Sequence, residues 1–142
     1  MSAIMPDPVE ASRLVMSLNV LLPRLDAITA EFCRMVEFAT PELRLKFPSN
    51  ESILAVGIED ILSTVNDPQQ AAQTVARYVT LARQAEIHET NLPVLLASIQ
   101  TAIAETAGYT WTDALEDAWT MWFDTLAELA VSGAGVEETQ AA

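Results

Sequence analysis

The 142-residue chain is short of positive charge: seven Lys and Arg stand against twenty Asp and Glu, a formal charge of −13. Such a surface repels phosphate backbones and anionic lipid head groups, so neither nucleic acid nor a membrane surface is expected as a partner. The single cysteine, Cys33, cannot form an intrachain disulfide. The single histidine, His88, has no Ser or Cys at a recognisable spacing for nucleophilic catalysis. Also missing are a glycine-rich phosphate loop, a zinc-ligand pattern, a nucleophile elbow and any apolar run of membrane-spanning length. The opening "MSAIMPDPVE" lacks the basic start and apolar core of a signal peptide, and a reducing, cytoplasmic setting is the expectation.

What is present is apolar and helical. Hydrophobic residues make up 51% of the chain, slightly rich for one domain of this size, which leaves apolar surface for an internal ligand or a partner. Their spacing is helical almost throughout, and no stretch alternates for long enough to suggest a strand, so the fold class is all-α. Residues 1–8 read as a flexible N-terminus, 9–131 as the folded domain and 132–142, "SGAGVEETQAA", as a terminator with a disordered tail.

Val9 to Leu22 predict a first helix, with Leu14, Leu18, Leu21 and Leu22 on one face before Pro23. "RLDAITAEFCRMVEF" predicts a second, carrying Leu25, Ile28, Phe32, Met35 and Val36 inward, and a short turn of helix follows between Pro41 and Pro48. Ser49 or Asn50 caps a helix bearing Leu54, Ile58, Ile61, Leu62 and Val65. Asp67, Pro68 and Gln70 read as cap, first turn and capping-box partner of the next, through Val75, Tyr78, Val79, Leu81 and Ala82. Asn91 caps a helix carrying Leu92, Leu95, Leu96, Ile99 and Ile103, which Gly108 ends. A last helix from "TWTDALEDAW" holds Leu115, Trp119, Trp122, Phe123, Leu126 and Leu129.

In this order the pieces resemble globins of the bacterial single-domain and flavohaemoglobin type. "FCRMVEFATPELRLKFP" is similar to that family's second-to-third helix passage: an aromatic pair, Arg-Met-Phe, Pro-Glu-Leu, then a closing Phe. "NLPVLLASIQTAIAETAG" and "DAWTMWFDTLAEL" resemble its final helical hairpin in length and in the placing of Pro93, Gly108, Ala118 and Trp119. The likeness spans roughly residues 12 to 131. It implies a globin-like bundle of about six to eight helices, with a shortened connection, "PSNE", between the third helix and the next long one.

The resemblance also implies haem that coordinates a diatomic gas, and this needs a histidine on the helix before the hairpin. Here "LARQA" occupies the expected string and Ala85 stands at the ligand position, in a register that keeps Leu81 and Tyr78 at the family's apolar positions. Making His88 the ligand would instead put Gln84 in the pocket. Cys33 replaces the family's distal tyrosine, and Phe123 takes a place where many relatives carry a tyrosine that orients the ligand histidine.

Two readings follow. In the favoured one, a haem-free globin-fold binding or sensor protein, similar to haem-free sensor domains of bacterial stress signalling, takes a small apolar ligand or a protein partner. The pocket residues are then Phe32, Cys33, Phe47, Leu54, Ile58, Leu81, Ala85, Leu95, Ile99 and Phe123. In the alternative, haem is bound with His88 as axial ligand, for oxygen or nitric oxide binding, sensing or detoxification. Nitric oxide dioxygenation, the one enzymatic reading, depends on that haem. Cys33 reads as inert packing, against redox sensing or thiolate ligation of a metal. Trp119 and Trp122 read as core, against one of them serving an exposed dimerisation face. A homodimer through the last two helices is a further expectation.

Overall fold

The computed structural model describes residues 8–48, 50–65 and 67–141, apart from the side chains of residues 10, 89 and 132–141. Among the described residues there are seven α-helices and no strand: α1 Pro8–Leu21, α2 Leu25–Ala39, α3 Pro41–Leu45, α4 Glu51–Leu62, α5 Pro68–Gln84, α6 Leu92–Ala107 and α7 Asp113–Ala141. Short 3-10 turns at Leu22–Arg24, Glu89–Asn91 and Gly108–Thr110 connect α1 to α2, lead into α6 and follow it. Residues 46–50 are the shortened connection between α3 and α4. Residues 1–7 of the N-terminal segment lie outside the described residues, and Pro8 already belongs to α1.

Side-chain caps set three helix starts. The Asn50 amide oxygen accepts from Ser52 N–H at 2.9 Å, opening α4, and the Asp67 carboxylate accepts from Gln70 N–H at 3.0 Å, opening α5. Thr112 Oγ1 accepts from Leu115 N–H at 3.2 Å before α7. The capping box at α5 is one-sided, because the Gln70 amide turns forward to Thr74 Oγ1 at 3.5 Å. Asn91 makes no side-chain cap: its backbone is already helical, since the preceding 3-10 turn runs directly into α6. Leu22 falls in a 3-10 turn with Pro23, not in α1, and Val65 is buried beyond the end of α4. Gly108 ends α6 as expected, at φ +57.

The last helix, α7, runs through Gly133 and Gly135 to Ala141. A lone glycine costs a helix only about 1 kcal/mol, and the following "VEETQA" holds no proline.

α7 is the central support: α5, α6 and α1 pack on it, while α2 packs on α6 and α4. Trp119 and Trp122 are both fully buried there, which rules out either as an exposed dimerisation residue. Each removes roughly 200 Å² from water, on the order of 5 kcal/mol. Trp119 also donates its indole N–H to Ser17 Oγ at 3.0 Å, tying α7 to α1.

Candidate functional site

α2 contributes Phe32 and Cys33, both buried. Phe47, leaving α3, lies with its ring centroid 6.0 Å from that of Phe32. Buried Ile58 of α4, Ile99 of α6 and Phe123 of α7 join the same apolar cluster. Half-buried Leu54, Ala85 and Leu95 pack against it from α4, the end of α5 and α6. Nine of the ten expected lining residues therefore belong to, or rest on, one apolar core.

Leu81 is the exception, at 49% exposed. The inward stripe of α5 runs through Ala71, Val75, Val79 and Ala82 to Ala85. Leu81 lies one residue, about 100°, from Ala82 around the helix and falls at the stripe's outer edge. The inward positions in the last turns of α5 are thus two alanines.

The corner after α5 decides where His88 points. Glu86 takes a left-handed conformation, φ 63. Its N–H donates to the Arg83 carbonyl at 3.0 Å, and Ile87 N–H donates to the Ala82 carbonyl at 2.8 Å. This pair of bonds is a Schellman termination. It turns Ile87, not His88, into the core. His88 is exposed; its Nδ1 accepts from Thr90 N–H at 3.1 Å and lies 2.9 Å from Thr90 Oγ1. The imidazole serves the turn that leads into α6.

Other potential donors are equally committed. Burial pushes the Cys33 thiol above its ordinary range, against the pull of the Arg44 guanidinium, and Glu51 and Glu37 reinforce the rise. The group is a protonated thiol and a weak metal ligand. Tyr78 donates its hydroxyl to Asp60 Oδ2 at 2.8 Å. Among the described residues no three His, Cys, Asp or Glu side chains gather to hold a metal ion.

One edge of the cluster is basic. Lys46 donates to the Glu86 carbonyl at 2.5 Å, bridging the exit of α3 to the end of α5. Arg44 donates to the Pro48 carbonyl at 3.2 Å. Sequence reasoning passed over both, although a pair of cations just before Phe47 in so acidic a chain was a visible signal. It also missed Ile87, whose place depends on the Schellman turn.

No family model and no curated protein matches the chain. Among solved structures, RmaNOD of Rhodothermus marinus, an engineered carbene transferase and candidate nitric oxide dioxygenase, is similar across 98% of this chain and 100% of its own, with a TM-score of 0.72 and 23% identity. The fold is globin-like. Ala85, where the resemblance implied a histidine, packs half-buried against the apolar core at the end of α5. No described helix is long and apolar enough to cross a membrane.

Proposed function

We propose that this globin-like chain is a binding or sensor protein without conventional histidine ligation of haem, taking a small apolar ligand among α4, α5 and α6. The observation that carries the reading is the orientation of the corner: the sole imidazole faces solvent and is held by Thr90, while Ala82 and Ala85 face inward. Neither alanine can donate to iron, and Cys33 is a buried thiol. The residues present therefore do not fit a haem bound in the usual way. The nitric oxide dioxygenase activity for which the similar structure is named calls for haem and distal polar groups, and Cys33 provides no strong donor on that side.

Space left by a haem would cost about 24 cal/mol per Å³ if empty, so it must close or be filled. The half-buried side chains of Leu54, Leu95 and Leu96, with exposed Leu81, favour filling by an apolar molecule.

Two titrations test the reading. Haemin added to the purified protein is expected to give no sharp Soret band that depends on His88. A sharp band abolished by His88→Ala would establish axial ligation instead. The neutral probe N-phenyl-1-naphthylamine is expected to bind saturably, one per chain, and to lose that binding in Leu54→Glu.

A further inference from the structure

The one imidazole of the chain sits in the corner between α5 and α6. There Glu86 is held left-handed, Ile87 is turned into the core, and Lys46 bonds to the Glu86 carbonyl. The 3-10 turn Glu89–Asn91 then runs directly into α6, and Asn91 supplies no side-chain cap. His88 takes that role. Its Nδ1 accepts from Thr90 N–H at 3.1 Å, and its carbonyl accepts from Asn91 N–H at 2.9 Å.

A ring nitrogen accepts a hydrogen bond only while it carries no proton, so the bond from Thr90 N–H belongs to the neutral imidazole. A proton taken from solvent puts an N–H on Nδ1. Thr90 Oγ1, 2.9 Å away, can accept from it, so the ring keeps a partner while the Thr90 backbone N–H loses its own. The positive ring is then left at the entry to α6, an end that the unpaired N–H groups of the first turn already make positive. The charged groups on the elements that meet here are Arg83 at the end of α5, Glu86 and Glu89 on either side of the ring in sequence, and Lys46; α6 brings none before Glu105. Among the described residues no carboxylate pairs with the imidazole to hold its charged form in place.

We infer that His88 is a proton-operated latch on this corner: neutral, it pins Thr90 and the entry to α6, and protonated in mildly acidic solution it lets residues 86–91 open. Imidazole is the side chain whose charge ordinarily changes between pH 5 and 8, and with a single histidine the response is confined to this place. The left-handed backbone of Glu86, unfavourable for a residue with a side chain, relaxes on opening and so drives it in the same direction. The latch needs no bound molecule. It stands or falls apart from the apolar-ligand reading above.

Two measurements test it. In an NMR titration of the native chain from pH 8 to 5, the Thr90 amide proton is expected to move in step with the His88 ring signals, to the position of an amide without a protein acceptor. In His88→Asn, whose side-chain oxygen accepts at every pH, it is expected to stay still. Limited digestion by glutamyl endopeptidase then reads the opening, through fragments ending at residue 86 or 89. Native chain and His88→Asn are compared at equal pH, which cancels the protease's own pH dependence. The two are expected to be cut alike at pH 7.5, and the native chain about fivefold faster at pH 5.5, the scale of one lost helix cap. His88→Ala is expected to be cut fast at both. Equal cutting of the native chain and His88→Asn at pH 5.5 would overturn the latch. So would a Thr90 amide that ignores the titration of the ring, whatever the variants do.

Discussion

Glu86 carries the sharpest prediction at the level of a single residue. It is the one non-glycine among the described residues with positive φ, at the position where a Schellman turn favours glycine. A side chain there costs roughly 1–2 kcal/mol against glycine. Glu86→Gly is therefore expected to raise stability by about 0.5–1 kcal/mol, net of the unfolded-state entropy that glycine adds. The Lys46 bond is kept, because its acceptor is the backbone carbonyl. Urea denaturation checks this, and a loss of stability would mean that the Glu86 side chain makes a compensating contact. The two core tryptophans give a matched pair. Trp119 Nε1 is bonded to Ser17, whereas Trp122 Nε1 is buried with no partner among the described residues. Tryptophan to phenylalanine removes a similar volume at each site, but only at Trp119 does it break a hydrogen bond. Trp119→Phe should cost about 1–2 kcal/mol more than Trp122→Phe, because a lost bond adds to the cavity in one case and an unsatisfied donor is relieved in the other. Equal losses by denaturant titration would count against that assignment.

Helices were legible in the sequence where apolar spacing and a capping side chain agreed. Asp67 was read correctly, and Asn50 was one of the two caps expected for α4 with Ser49, because such caps depend on neighbours two or three residues away. The end of α5 was legible only in part. Ala85 does face the core, but Leu81 does not, since hydrophobicity alone cannot say which edge of a stripe a neighbouring helix covers. The outward turn of His88 follows from a left-handed glutamate, for which the sequence carries no glycine signal. The pairing of α4 with α5 was likewise silent, because it depends on Gly57 admitting the Tyr78 ring: a Cβ there would stand 3.3 Å from Cε1. That pairing has a pH signature. Burial raises the Tyr78 pKa first, and its hydrogen bond to Asp60 adds to the rise. The protonated phenol is thus favoured by folding. Its contribution is complete below the unfolded tyrosine value, near pH 10, and is lost as pH climbs through that value toward the folded one. Native protein should lose melting temperature above about pH 10 faster than Tyr78→Phe does. Parallel curves from pH 8 to 11.5 would show that the hydroxyl is not coupled to folding.

Across the whole molecule the charge is polarised. Every Lys and Arg lies at or before residue 83, whereas α6 and α7 together hold eight carboxylates and no basic residue. Asp117, Asp124 and Glu128 are exposed along α7, with Met121 and Val131 as apolar breaks between and beyond them. This bears on the homodimer expected through the last two helices. Two such faces brought together would oppose like charges, a destabilisation that counter-ions relieve as the screening length falls from about 10 Å at 0.1 M salt to about 3 Å at 1 M. Apolar contact at Met121 and Val131 is unaffected by that screening and strengthens in salts such as sulfate. Association through this face must therefore increase with ionic strength, opposite to a pairing held by ion pairs. Sedimentation velocity at 0.02 and 0.5 M sodium chloride separates the two: monomer shifting toward dimer as salt rises, with Met121→Glu abolishing the shift, is the expected result. A dimer present at low salt that dissociates at high salt would move the contact to the basic side, around Arg44 and Lys46.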